Sequence, residues 1–182
     1  MESIQLARGT RLSLTLIGIG SLLVGVLVGA VPAGTVAATY WLDAVIVVVA
    51  GMVTLARAKR LSAEMVLRWS VGMWAAGVFV VEVFDLGPGG WNPLPALVSA
   101  VGGTGYALVA LIAIVASDLD SLSRRSDPRQ IALRASYVLV GISAGKIIGD
   151  HLQWPIETAT VLAMIVLTVV LDLNDRSRPK AS

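Results

Sequence analysis

The sequence predicts an all-α, polytopic membrane protein: six transmembrane helices paired as three hairpins, with the N-terminus and the C-terminus both cytoplasmic. Three observations carry this. The 182 residues are 56% hydrophobic and only 14% charged, with a mean hydropathy of +0.81, which is too little charge to clothe a water-soluble globule. The apolar residues gather in long unbroken runs. The basic residues occupy every second gap between those runs.

The runs cover residues 12–31, 37–56, 67–86, 97–117, 131–150 and 156–171. Each is close to the ~20 residues that a helix needs to cross a ~30 Å hydrocarbon core. Continuous apolar sequence favours helices over the alternating strands of a membrane barrel, because each helix satisfies its own backbone in lipid. The whole chain, 1–182, reads as one transmembrane helical domain. The first run is longer than the core of a signal peptide, so it is read as a span.

Orientation follows from charge. Arg8 and Arg11 precede the first run, Arg57, Lys59, Arg60 and Arg68 follow the second, and Arg124, Arg125, Arg129 and Arg134 follow the fourth. Arg176, Arg178 and Lys180 close the chain, whereas the connections at 32–36, 87–96 and 151–155 carry no Lys or Arg. Positive loops stay inside, which places both termini in the cytoplasm and the protein in the cell membrane as a multi-pass component. Tyr40, Trp41, Trp91 and Trp154 lie near the uncharged connections, as an outer aromatic belt would. Pro32, Pro88, Pro93, Pro95 and Pro155 mark the outer turns.

Composition also narrows function. There are no cysteines and a single histidine, His151, so disulfides, thiolate metal centres, cysteine nucleophiles and bis-histidine haem within one chain are excluded. The net charge of +2 gives no footprint for nucleic acid. No metal-ligand spacing or phosphate-binding loop is present, and no cofactor is expected.

Gly141, Ile142, Ser143, Ala144 and Gly145 match the GxSxG of serine hydrolases, but that motif works at a strand-to-helix elbow. Here it lies inside an apolar helix, and His151 is eight residues on, about 12 Å along the axis. A catalytic role is not expected, and the chain is read as no enzyme.

Gly141, Gly145 and Gly149 recur every four residues, forming two overlapping GxxxG motifs, and Gly25 and Gly29 share that spacing. Gly102, Gly103 and Gly105 add a third small-residue patch. Such stripes let helix backbones approach closely where lipid offers no hydrophobic drive, so they are read as helix-packing surfaces. They bring the possibility of a homo-oligomer or another membrane-protein partner besides the lipid bilayer.

Ionisable residues inside apolar runs are costly and are functional suspects by default. Asp43, close to Trp41, and Asp172, close to Asn174, are read as interfacial. Asp85 lies three residues before Pro88 and is read as nearly outside the membrane, while Asp118 and Asp120 are read as the solvated start of a loop. Glu82, Lys146 and Asp150 form the candidate intramembrane charge cluster, with Asp150 one helical turn beyond Lys146.

The segment Gly18, Ile19, Gly20, Ser21, Leu22, Leu23, Val24 and Gly25, running through Pro32 to residues 42–51 and then Arg57, Ala58, Lys59 and Arg60, resembles the first hairpin of the HdeD-like acid-resistance membrane family. That resemblance implies small glycine-bearing hairpins, commonly six helices, and a stress-linked role. The expected function is therefore a noncatalytic integral membrane protein, a stress-linked or assembly component. The alternative is a small permease or channel moving an ion, a proton or a small solute past Glu82 and Lys146.

Overall fold

The computed structural model describes residues 8–87, 92–124 and 128–177. Among them the chain forms seven helices and no strand: α1 Arg8–Leu27, α2 Ala33–Arg57, α3 Ala63–Phe84, α4 Leu94–Gly102, α5 Gly105–Arg124, α6 Pro128–Leu152 and α7 Ile156–Ser177. Of these, α2 and α3 are long and apolar enough to cross a membrane, and α4 with α5 would make a third span if the bent pair is taken as one. Pro88, Gly89, Gly90, Trp91, Arg125, Arg178 and Lys180 lie outside the described residues.

The boundaries follow local chemistry. Gly29 adopts the left-handed φ of +70° and ends α1, and Ala30 N–H closes the turn on Gly25 O at 2.8 Å. Pro32, with its fixed φ, then starts α2 four residues earlier than expected. Ser62 caps α3 by accepting from Met65 N–H at 3.2 Å. Asp85 ends α3 in the left-handed region.

The expected fourth helix, 97–117, is broken. Gly102 and Gly103 are poor helix formers in series, and Thr104 Oγ1 accepts from Ala107 N–H at 3.4 Å, starting a fresh helix. The two pieces meet at 110°. The full-length helix is thereby displaced to Gly105–Arg124. Asp118 and Asp120, expected in a solvated loop, are instead helical and buried towards its end.

α2 is the central element, touching α3, α4, α5, α6 and α7, while α1 packs along α5 and α6 along α7. Every residue from 33 to 44 is buried, so this half of α2 is enclosed on all sides. Small residues make that possible: Ala33, Gly34, Ala37, Ala38 and Ala44 leave room for five neighbours. Trp41 and Tyr40 do not form a belt here. They are inside the bundle, at 4% and 0% exposure, with Trp41 Nε1 donating to Met73 O at 2.9 Å.

Glycine sets the spacing of the two outlying pairs. A Cβ on Gly145 would collide with Thr160 Cα and stand 2.7 Å from Thr160 N, and one on Gly141 would stand 3.0 Å from Met164 Cγ. α6 and α7 therefore meet backbone to backbone. On α1, a Cβ on Gly18 would be 2.7 Å from Ile114 Cγ1 and one on Gly25 would be 3.1 Å from Tyr106 Cβ. Two hydrogen bonds join the same pair of helices, Thr15 Oγ1 with Ser117 Oγ at 2.9 Å and Ser21 Oγ to Tyr106 O at 2.8 Å.

Candidate functional site

The enclosed half of α2 carries polar side chains that composition alone would place at a surface. Thr35, Thr39 and Asp43 are 3%, 0% and 1% exposed. They stand at i, i+4 and i+8, so they share one face and span about 12 Å of helix. Trp41 is directed at α3, and at about 100° per residue Asp43 points to the opposite side of α2. Asp43 lies ten residues from Ala33 and fourteen from Arg57, about 15 Å and 21 Å from the two ends. The reading of Asp43 as an interfacial residue is thus corrected: its carboxylate sits near mid-helix in the protein core.

The hydroxyls of this face are turned in a particular sense. Thr39 Oγ1 donates to Thr35 O at 2.8 Å, and Thr35 Oγ1 donates to Ala100 O on α4 at 3.3 Å. Each hydroxyl spends its hydrogen on a backbone carbonyl, and its oxygen keeps acceptor lone pairs. With Asp43 they give a row of oxygen acceptors. A row of that kind suits protons and hard cations rather than anions or soft metals. Ala100 lies three residues before the α4–α5 break, so one end of the row abuts the junction of those two helices.

Comparison with protein-family models, with curated proteins and with solved structures finds no match. The site therefore rests on its own geometry.

The residues singled out from sequence are distributed differently. Glu82 is exposed and falls in the last turn of α3, and Asp150 is exposed near the end of α6. Lys146 lies on α6 one turn before Asp150. Gly141, Gly145 and Gly149 are buried on α6, the first two against α7, and Gly25 is held against α5. Gly29 has open space around it and serves as the α1 terminator. Ser143 and His151 are both exposed on α6. Among the described residues, no three His, Asp or Glu side chains gather as metal ligands.

A second polar cluster was also missed. Asp118 and Asp120 are 8% and 7% exposed on α5, next to the buried Thr15–Ser117 hydrogen bond. The antiparallel register that sets Thr15 against Ser117 and Gly18 against Ile114 runs the start of α1 along this end of α5. The α2 row had a signal in the sequence, namely two threonines and an aspartate at four-residue spacing within an alanine-rich run.

Proposed function

We propose that the chain is a multi-pass cell-membrane protein that moves a proton or a small hard cation along the Thr35, Thr39 and Asp43 face of α2. The observation that carries this reading is the burial of Asp43 near the middle of α2, in the enclosed stretch from 33 to 44. A carboxylate held there is costly in lipid and is a functional suspect by default, and its oxygens on this face are of the kind that a proton or a hard cation engages. The two threonine oxygens lead from Asp43 towards the Pro32 end, where α4 breaks.

In this reading the chain makes six spans as three hairpins. The Pro32 end of α2 is outside, and both termini are cytoplasmic. α4 is then a short outer helix preceding the span α5. The support is the charge-free connections around Pro32 and Pro155 and the basic ones after Arg57 and Arg124. A reporter fused after Pro179 is expected to stay cytoplasmic, and one inserted at Gly89–Gly90 to appear outside; a cytoplasmic signal from the second site contradicts six spans. Its company is the lipid bilayer and a second membrane protein or another copy of itself, with neither cofactor nor nucleic acid.

The second reading is a noncatalytic, stress-linked or assembly component of the HdeD-like kind. The backbone-close packing of Gly145 on Thr160 favours it, since that contact builds a tight bundle. The two readings part on access. The protein has no cysteine, so Thr35→Cys and Thr39→Cys each provide a unique thiol. Transport predicts that a water-soluble thiol reagent labels both from the Pro32 side, with Thr35→Cys faster. No labelling of either in the folded protein would favour the noncatalytic reading.

A further inference from the structure

The α2–α3 turn carries a feature that the transport reading does not use. Arg57, Lys59 and Arg60 are all exposed within four residues. Glu64, the acid next along the chain, is held by Arg68 at 2.8 Å, so among the described residues the three exposed cations of the turn have no carboxylate ion pair. The backbone beneath them is fixed. Ala58 N–H bonds to Thr54 O at 3.1 Å, Lys59 N–H to Ala56 O at 3.0 Å and Arg60 N–H to Leu55 O at 2.8 Å, while Leu61 and Met65 pack half-buried against the core. Lys59 holds the left-handed φ of 56°, a position that glycine fills at lower cost. Lysine there keeps a charge at the apex of the turn.

An apolar strip leads to these charges. Ile46, Val49 and Val53 are 37%, 54% and 45% exposed, and with Arg57 they follow at intervals of three, four and four on one face of α2. The strip is about 16 Å long, comparable with an acyl chain, and it ends at a guanidinium. We infer that this turn and strip form a docking site for an anionic phospholipid, with its phosphate on Arg57, Lys59 and Arg60 and one acyl chain along Ile46, Val49 and Val53. Uncompensated cations next to a spanning helix attract anionic headgroups, whereas a zwitterionic headgroup brings its own ammonium into the same cluster.

The test is native mass spectrometry of the full chain in detergent, titrated with phosphatidylglycerol and, separately, with phosphatidylcholine. The expected result is one phosphatidylglycerol bound at least about tenfold more tightly than phosphatidylcholine, with the preference weakened at about 0.5 M salt. Arg57→Gln/Lys59→Gln/Arg60→Gln should erase the preference. Arg57→Lys/Arg60→Lys should keep most of it. If the triple variant fails to insert, Lys59→Gln alone should cost about fivefold. Arg176→Gln/Arg178→Gln, which removes charge elsewhere, should change nothing. Equal binding of the two lipids, displacement by millimolar inorganic phosphate, or an equal loss from the C-terminal variant would overturn the assignment.

Discussion

α2 and α3 are both long and apolar enough to cross a membrane, yet the protein uses them in opposite ways. From 33 to 44 α2 is buried all round, whereas α3 buries only Trp69, Met73, Ala76, Gly77, Val80 and Val81. Hydropathy does not separate the two roles, because lipid is as apolar as a protein core and gives no hydrophobic reason to prefer one neighbour over the other. Residue size and the placement of oxygen atoms do separate them. α2 alternates small residues with hydroxyls, while α3 turns Leu67, Val71 and Trp74 outward at 66%, 53% and 42% exposure.

The largest effect that sharpens this contrast involves two tryptophans. Trp41→Ala removes a ring 4% exposed and its bond to Met73 O, and about 3 kcal/mol of stability should go with it. Trp74→Ala, at a 42% exposed position, should cost less than about 1 kcal/mol. Thermal unfolding in detergent measures both. Equal losses would break the distinction between an enclosed helix and an outward-facing one.

Two glycines should then differ in sign. A Cβ on Gly34 of α2 would stand 2.9 Å from Phe84 Cβ, so Gly34→Ala should destabilise by about 1–3 kcal/mol. Gly72 of α3 has nothing within 4 Å of that position, and Gly72→Ala should stabilise by about 0.5–1 kcal/mol through helix propensity. Smallest of all is Glu82→Gln on exposed α3, expected within about 0.5 kcal/mol of the wild type. A loss of several kcal/mol there would mean that Glu82 is paired inside an assembly, and would restore it to the site.

The all-helical class was legible because unbroken apolar runs leave helices few alternatives. The reversals at Pro32 and Pro155 were marked by those prolines, whereas Gly29 ends α1 by its left-handed φ rather than packing a helix face, and Ser62 caps α3 without having stood out in the sequence. The break in the fourth run was written as two adjacent glycines before a threonine, and the apolar sequence continuing on both sides concealed it. Because that break moves α5 towards the C-terminus, Asp118 and Asp120 exchange an expected loop for a buried helix end. Asp43 was misjudged for a different reason: Tyr40 and Trp41 resemble an interfacial belt in one dimension. Only the packing of five helices around α2 shows that these aromatic groups face protein.

Reconstitution into liposomes tests the central claim most directly, by following proton and monovalent-cation flux for the wild type, Asp43→Asn and Glu82→Gln. The account predicts flux in the wild type, a loss of at least about tenfold in Asp43→Asn with the protein still folded, and near-normal flux in Glu82→Gln. Undiminished flux in folded Asp43→Asn, or no flux in the wild type for any of these ions, would contradict it.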